Sequence, residues 1–325
     1  MTTIFPERTI DRNKIRWEDY LYNLTPVEKH GEVLWKREDK FAPLGYHGVN
    51  GSKMRQCLWL VKQWHEQGFR GVISGSVVGS PQHPFISTIT RHFNMGCLIV
   101  TGSKHYHKHT NMVLAQRMGA QFYVTNIGYA RALESKCFKL QDKLPDHAVL
   151  ETNITVDEKR NPPGRVEAFH RIGAEQSKNI PDHVKYLFIP AGSCNSIVSI
   201  LYGIALFQPK SLEKVFVMGI GNNGSKDIGY VDRRLKIISQ VIGQDVHSMF
   251  DWEGSEGIEM VHYDINGSGF CKYEDWLPYN HDGIALHPRY EGKVMNYINN
   301  RKEEFAPYWG PDTLFWIVGN EPKYV

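Results

Sequence analysis

Cysteine and long apolar runs are both scarce in these 325 residues. The five cysteines, at 57, 97, 137, 194 and 271, are odd in number, widely scattered and never spaced as CxxC. That argues against a disulfide framework and against a zinc site, and for reduced thiols in a cytoplasm-like compartment. No apolar run is long enough to span a bilayer, and the opening MTTIFPERTIDRNKIRWEDY has no apolar centre of the signal-peptide kind. One-sided charge is missing too: the formal net charge is +3 with no long basic run, so bulk electrostatics does not mark a nucleic-acid binder. Repeats and low-complexity tracts are also absent. The expectation is a cytoplasmic enzyme-sized protein with no membrane partner and no metal.

What is present is an alternation of strand and helix signals. Residues 1–31 are polar with interspersed aromatics and read as an arm around the body. Glu32–Asp39 reads as a short strand, and a Gly- and Pro-bearing loop, Phe41 to Ser52, leads into a helix that should stop near Gly68. Strands follow at Gly71–Gly75, Cys97–Thr101 and Gln121–Thr125, with helices after Ser80 and from Asn111 to Met118. The polar segment 140–166 reads as a connection between lobes. A second run has a helix at 167–178, strand Tyr186–Pro190, a loop Ala191–Ser196, helix 197–207, strand Lys214–Gly219 and a helix at 229–242. Such alternation predicts parallel sheets in an α/β protein, as two open-sheet α/β/α layers.

Four loops could carry chemistry. In Gly48-Val-Asn-Gly-Ser-Lys-Met-Arg55 a glycine-rich loop meets a helix start at Lys53, where desolvation and nearby N–H groups would lower the lysine pKa and prepare its amine for a Schiff base. Ser80-Pro-Gln-His83 opens a helix with a good cap, Ser80, and with Pro81 at the first helical position; spare N–H donors there suit a carboxylate. Ala191-Gly-Ser-Cys-Asn-Ser196, between a strand and a helix, has the small residues and hydroxyls of a phosphate cradle. The fourth presents Tyr290-Glu291 after a strand. Each has a plainer reading: a surface lysine, a simple cap, an ordinary turn, an exposed carboxylate. Together, a phosphate cradle, an amine and a carboxylate for a ring nitrogen are what pyridoxal 5'-phosphate requires.

These blocks bring a family into view. Trp35-Lys-Arg-Glu-Asp39, Gly51-Ser-Lys53-Met-Arg55, Ser80-Pro-Gln82 and His287-Pro-Arg-Tyr-Glu-Gly-Lys-Val-Met295 resemble, in order over most of the chain, the fold-type II pyridoxal-phosphate enzymes. The pattern is most similar to the 1-aminocyclopropane-1-carboxylate deaminase and D-cysteine desulfhydrase group, with its KRED, GGNKxRKLE, SNQ and DPVYEGK stretches. The resemblance implies a large cofactor domain of residues 1–54 and 151–325 and a smaller α/β domain inserted at 55–150. The cofactor lies between them, usually in a homodimer. It implies that Lys53 holds the cofactor as an internal aldimine and later moves the Cα proton, that Ser80, Gln82 and His83 hold the substrate carboxylate, and that Gly192, Ser193, Cys194, Asn195 and Ser196 cradle the phosphate. Glu291 would face the pyridine nitrogen, with Tyr290 beside the ring as acid/base or steric wall. A carboxylate beside that nitrogen favours the protonated ring, the stronger electron sink, and so carbanion chemistry at Cα or Cβ of an amino acid.

Departures from the pattern gather around the substrate. SNQ has become Ser80-Pro81-Gln82, which removes an asparagine side chain; Asn50, Gln82 or His83 could substitute. The lysine after the arginine is Gln56, the residue before the lysine is Ser52, and DPVYEGK has become His287-Pro-Arg-Tyr-Glu-Gly-Lys293. Three functions follow as expectations: deamination or β-elimination of a small amino acid; decarboxylation or rearrangement of an amino acid carried on a nucleotide or modified base; and, in another class, amino-acid binding without catalysis. Two weaker signals are Gly219-Ile-Gly-Asn-Asn-Gly224, a partial dinucleotide fingerprint, and Lys104-His-Tyr-His-Lys-His109, whose alternating histidines read as a solvated loop or an anion-attracting lid.

Overall fold

The computed structural model describes residues 17–44, 49–221, 225–254 and 256–322, the side chains of 17–19 and 225–227 excepted. Gly48, most of the expected N-terminal arm and Asn222–Gly224 of the glycine fingerprint lie outside the described residues.

Two sheets form from the alternating signals. The larger runs, edge to edge, through Val27–His30, Val33–Arg37, Thr313–Ile317, Tyr186–Ala191, Lys214–Gly219, Ile258–Asp264 and Phe250–Asp251. Only its first pair is antiparallel; every other neighbour is parallel. The smaller sheet orders Gln121–Val124, Gly96–Thr101, Gly71–Gly75 and His147–Leu150, all parallel. Parallel strands are covered on both faces, which is why they read as continuous apolar runs. Thr313–Ile317 is buried at every residue, with Leu314 in register between Leu34 and Leu187.

The structure corrects the reading of 140–166 as a plain connection. Ala130–Gln141 is a helix and His147–Leu150 an edge strand of the small sheet. The chain then returns through Asn153 and Ile154, both at positive φ, 67° and 55°. A β-branched residue there is strained. The turn is held by Asn195, whose amide donates to the Ile154 carbonyl at 3.1 Å.

The helix Ser52–Glu66 joins the two sheets. Its Met54, Leu58 and Val61 share one core with Ile86 and Ile89 of the small-sheet helix Gln82–His92 and with Val166 and Phe169 of the helix Pro163–Ala174. On its other side Arg55 is fully buried. Its guanidinium donates to the Leu21 carbonyl, to the Asn23 carbonyl at 3.3 Å and to Glu38 at 3.4 Å, and lies 3.6 Å from the Phe41 ring centroid. Arg37 meanwhile grips Asp39 through two bonds, 2.9 and 2.8 Å. The Lys36–Asp39 block is thus structural: it fixes the root of the Lys53 helix.

Removing one partner from a buried pair strands the other charge. Arg55→Met should therefore cost about 3–5 kcal/mol in urea unfolding. A loss under about 1 kcal/mol, the range of an exposed pair, would show that Arg55 is not anchoring the helix.

Candidate active site

Ligands of open α/β sheets sit beyond the carboxyl ends of the strands. Here two strand ends and one helix start meet. After Ala191 the chain runs through Gly192 and Ser193 to Cys194, whose φ of 61° turns it into the helix Asn195–Phe207. After Ile317 it runs through Val318, Gly319 and Asn320. The Lys53 helix starts against that second end. The Ser52 N–H and hydroxyl both donate to the Val318 carbonyl, at 2.9 and 3.0 Å, and the Asn320 N–H donates to Asn50 Oδ1 at 2.7 Å. This approach requires glycine at 51: its φ is 90°, and a Cβ there would stand 2.4 Å from the Val318 carbonyl oxygen.

Val318 faces both ways. Its carbonyl holds the start of the Lys53 helix, while its N–H donates to Glu291 Oε1 at 2.9 Å. Glu291, the first residue of the helix Glu291–Asn300, is fully buried, and its Oε2 has no hydrogen-bond partner among the described residues. Burial raises its pKa to about 8, against the lowering effect of backbone hydrogen bonds including that of Val318.

Between these elements lies a cavity that is open to solvent at its mouth. Lys53, Gly192, Ser193, Cys194, Ser196 and Tyr290 all line it. The Lys53 amine has no acceptor among the described residues, and burial lowers its pKa to about 8, partly offset by Cys194. The Tyr290 ring packs 3.4 Å from where a Cβ on Gly192 would stand, and its hydroxyl lies 3.3 Å from that of Tyr273. Burial pushes this phenol well above its usual range.

Other expected residues are placed differently. The Asn195 side chain turns from the cavity to the 153–155 turn and to the Tyr230 hydroxyl. Gln82 is buried and donates to Ser74 Oγ at 3.0 Å; His83 is buried with Nε2 3.0 Å from the Val77 carbonyl, and burial lowers its pKa to about 4. Ser80 Oγ accepts from the Gln82 N–H at 3.2 Å, but the helix Gln82–His92 begins one residue later than expected, with Pro81 and not Ser80 in the cap position. From this turn, Pro81 and Phe85 line the cavity. The sequence reading omits Phe85 and Val318–Asn320 as lining residues. The signal for the latter is the apolar run Thr313–Val318 ending at Gly319-Asn320.

These features fit pyridoxal phosphate on their own terms. An unpartnered lysine of lowered pKa and a buried carboxylate with one orphaned oxygen are costs a bound cofactor would offset, and a small-residue loop at a helix start suits its phosphate. In the protein without cofactor, Glu291 keeps its proton until about pH 8 when folded but ionises near 4.5 when unfolded. Its contribution is therefore present below pH 4.5 and is lost as pH rises through 8. Glu291→Gln should abolish that loss, so the variant gains on wild type by several kcal/mol, order of magnitude, from pH 5 to 9 in urea unfolding. Parallel pH profiles would contradict the buried, protonated acid.

No family model matches the chain. An O-seryl-dTMP PLP-dependent decarboxylase of Salmonella phage ViI is 34% identical over 374 aligned residues, covering 98% of this chain and 87% of that protein. Among solved structures, an ACC deaminase homologue superposes with a TM-score of 0.67 at 18% identity, covering 91% of this chain and 89% of its own. The processed form of threonine deaminase isoform 2 from Solanum lycopersicum gives 0.58 at 15%, covering 91% and 84%. O-ureido-L-serine synthase gives 0.56 at 12%, covering 94% and 91%. The structural likenesses carry the fold; the sequence relative carries the family. The chain belongs to the fold-type II pyridoxal-phosphate-dependent enzymes.

Proposed function

We propose that this enzyme removes CO2 from a seryl group carried on a thymidine nucleotide and keeps the carrier attached. The relative named as an O-seryl-dTMP decarboxylase supports the substrate class. The observation that carries the reaction is the lining contributed by Pro81 and Phe85. At the turn where the resemblance expects carboxylate-binding side chains, Gln82 and His83 are turned into their own layer and two apolar groups face the cavity. A carboxylate against such a wall loses the hydrogen bonds it has in water, which favours its departure as neutral CO2.

When bound, pyridoxal phosphate supplies an electron sink for charge developing at the substrate Cα. Lys53 would hold it through its amine, the loop Gly192–Ser196 would hold its phosphate at the start of a helix, and Glu291 would stand at its ring nitrogen. A cation beside the orphaned Oε2 would draw the Glu291 proton off and keep it a carboxylate. Tyr290, packed on Gly192 in the cavity wall, would lie beside the bound ring and limit access to it. Pro81 and Phe85 would meet the carboxylate end of the substrate, with Ser80, Gln82 and His83 fixing their turn through bonds to the Gln82 N–H, Ser74 and the Val77 carbonyl. Lys53 Nζ, with a pKa of about 8, suits delivery near neutral pH of the proton that replaces CO2 at Cα. The two sheets would act as domains 1–54 with 151–325 and 55–150, in a homodimer. Among the described residues no helix is long and apolar enough to cross a membrane.

A second reading has Lys53 remove the Cα proton instead, as a base. In an O-linked serine the carrier is a leaving group β to Cα, so that route would expel it. Products separate the two. With O-seryl-dTMP, the holoenzyme should release CO2 and leave an aminoethyl ether on the nucleotide. Pyruvate and ammonia without CO2 would overturn the proposal and establish β-elimination.

A further inference from the structure

We infer that Arg289, with Trp276 and Tyr273, receives the nucleotide end of the substrate: the guanidinium takes a phosphate and the rings take the base. This rests on the nucleotide carrier proposed above and adds the residues that recognise it.

Arg289 is not itself a lining residue of the cavity but lies in the segment that lines it. Its chain neighbours His287 and Tyr290 line that cavity, and its Nη1 reaches to 3.6 Å from where a Cβ on Gly79 would begin. Gly79 lies two residues before Pro81, and its carbonyl is fixed by Asn111 Nδ2 at 2.9 Å. The arginine thus reaches from the C-terminal segment to the small-sheet layer, next to the Pro81 turn that lines the cavity.

Apart from two ring contacts, its guanidinium has no polar partner among the described residues. Among the described residues its side chain forms no hydrogen bond or ion pair, and its Nε is buried with no partner. The carboxylate of Asp275 on the adjoining loop accepts from the Lys272 N–H instead. A buried donor left unpaired is unfavourable, and a guanidinium's planar set of donors matches a phosphate. The family pattern DPVYEGK has valine at this position, so the arginine belongs to this chain's departures.

The rings complete the station. The guanidinium carbon lies 5.3 Å from the Trp276 ring centroid and 6.0 Å from that of Tyr273. Trp276 is 48% exposed, unusual for so large an apolar surface, and its ring is 6.5 Å from that of His287. Lys293 holds the loop in place, its buried amine donating to the Tyr273 carbonyl at 2.8 Å. An exposed indole on a fixed loop beside an unpaired arginine suits stacking of a base whose phosphate is held next to it.

Calorimetric titration of the holoenzyme with dTMP, thymidine and a short thymidine-containing single strand tests this. Wild type should bind dTMP about tenfold or more tightly than thymidine. Arg289→Gln should lower dTMP binding to the thymidine level and leave thymidine unchanged, with Arg289→Lys between, as expected for a charged hydrogen-bonded contact. Trp276→Ala should weaken both ligands while the cofactor absorbance stays in every variant. Strand binding well above dTMP, and lost in Arg289→Gln, would assign the phosphate to a polynucleotide; equal binding would assign it to the monophosphate. Arg289→Gln that still binds dTMP like wild type overturns the inference and leaves the carrier reading standing. A cofactor-loaded wild type that ignores all three ligands overturns the carrier reading, and the inference with it.

Discussion

The site depends on one residue of backbone just past the fully buried strand Thr313–Ile317. The Val318 carbonyl accepts the first N–H and the hydroxyl of the Lys53 helix, and its N–H supports the Glu291 carboxylate. An amine and an acid more than two hundred residues apart in sequence are thereby set on either side of a single strand end. Because that strand pairs in parallel on both sides, the position of Val318 is fixed by the whole sheet. Gly51 is the condition for this contact, since any side chain there meets the Val318 carbonyl.

Behind this contact lies a group of buried charges. Lys36, its pKa lowered to about 7 by burial, donates to the Thr25 carbonyl at 2.8 Å and to Asn179 at 2.5 Å. Glu38 receives Thr25 and Arg55. Such groups are expensive to bury, and they suit specificity of position more than stability. Here they fix the angle of the helix that carries Lys53. The resulting division is chemical: buried polar groups that find protein partners build the frame. Of the groups left over, the Lys53 amine faces the cavity itself, while Glu291 Oε2 is buried without a hydrogen-bond partner among the described residues, one residue beyond Tyr290 of its lining.

The sequence exposes much of this frame. Parallel strands announce themselves as apolar runs, and the helix stop near Gly68 is a local signal that the structure repeats. The strand Thr313–Ile317 is an apolar run as well, but it lies far from the alternating pattern, and only its pairing gives it the central place. His147–Leu150 hides because its three buried apolar residues, Ala148, Val149 and Leu150, are a short run inside an otherwise polar segment. At the site, Lys53, Tyr290 and the loop from Gly192 are legible from residue type and neighbours. The directions of Asn195, Gln82 and His83 are not, because which partner a polar side chain finds depends on tertiary neighbours such as Ser74, Val77 and Ile154. Fold and cofactor follow from local pattern, whereas recognition of the substrate follows from where side chains are turned.

Borohydride reduction of the cofactor-loaded enzyme, followed by peptide mapping, is the most direct measurement. Lys36 is the physical rival, since burial lowers its pKa even further, but its amine is already bound to Thr25 and Asn179. If the contact at Val318 sets the reactive amine, the pyridoxyl group is found on Lys53 and is absent when Lys53→Ala is treated alike. A pyridoxyl group on Lys36, or on any other lysine, would contradict the account.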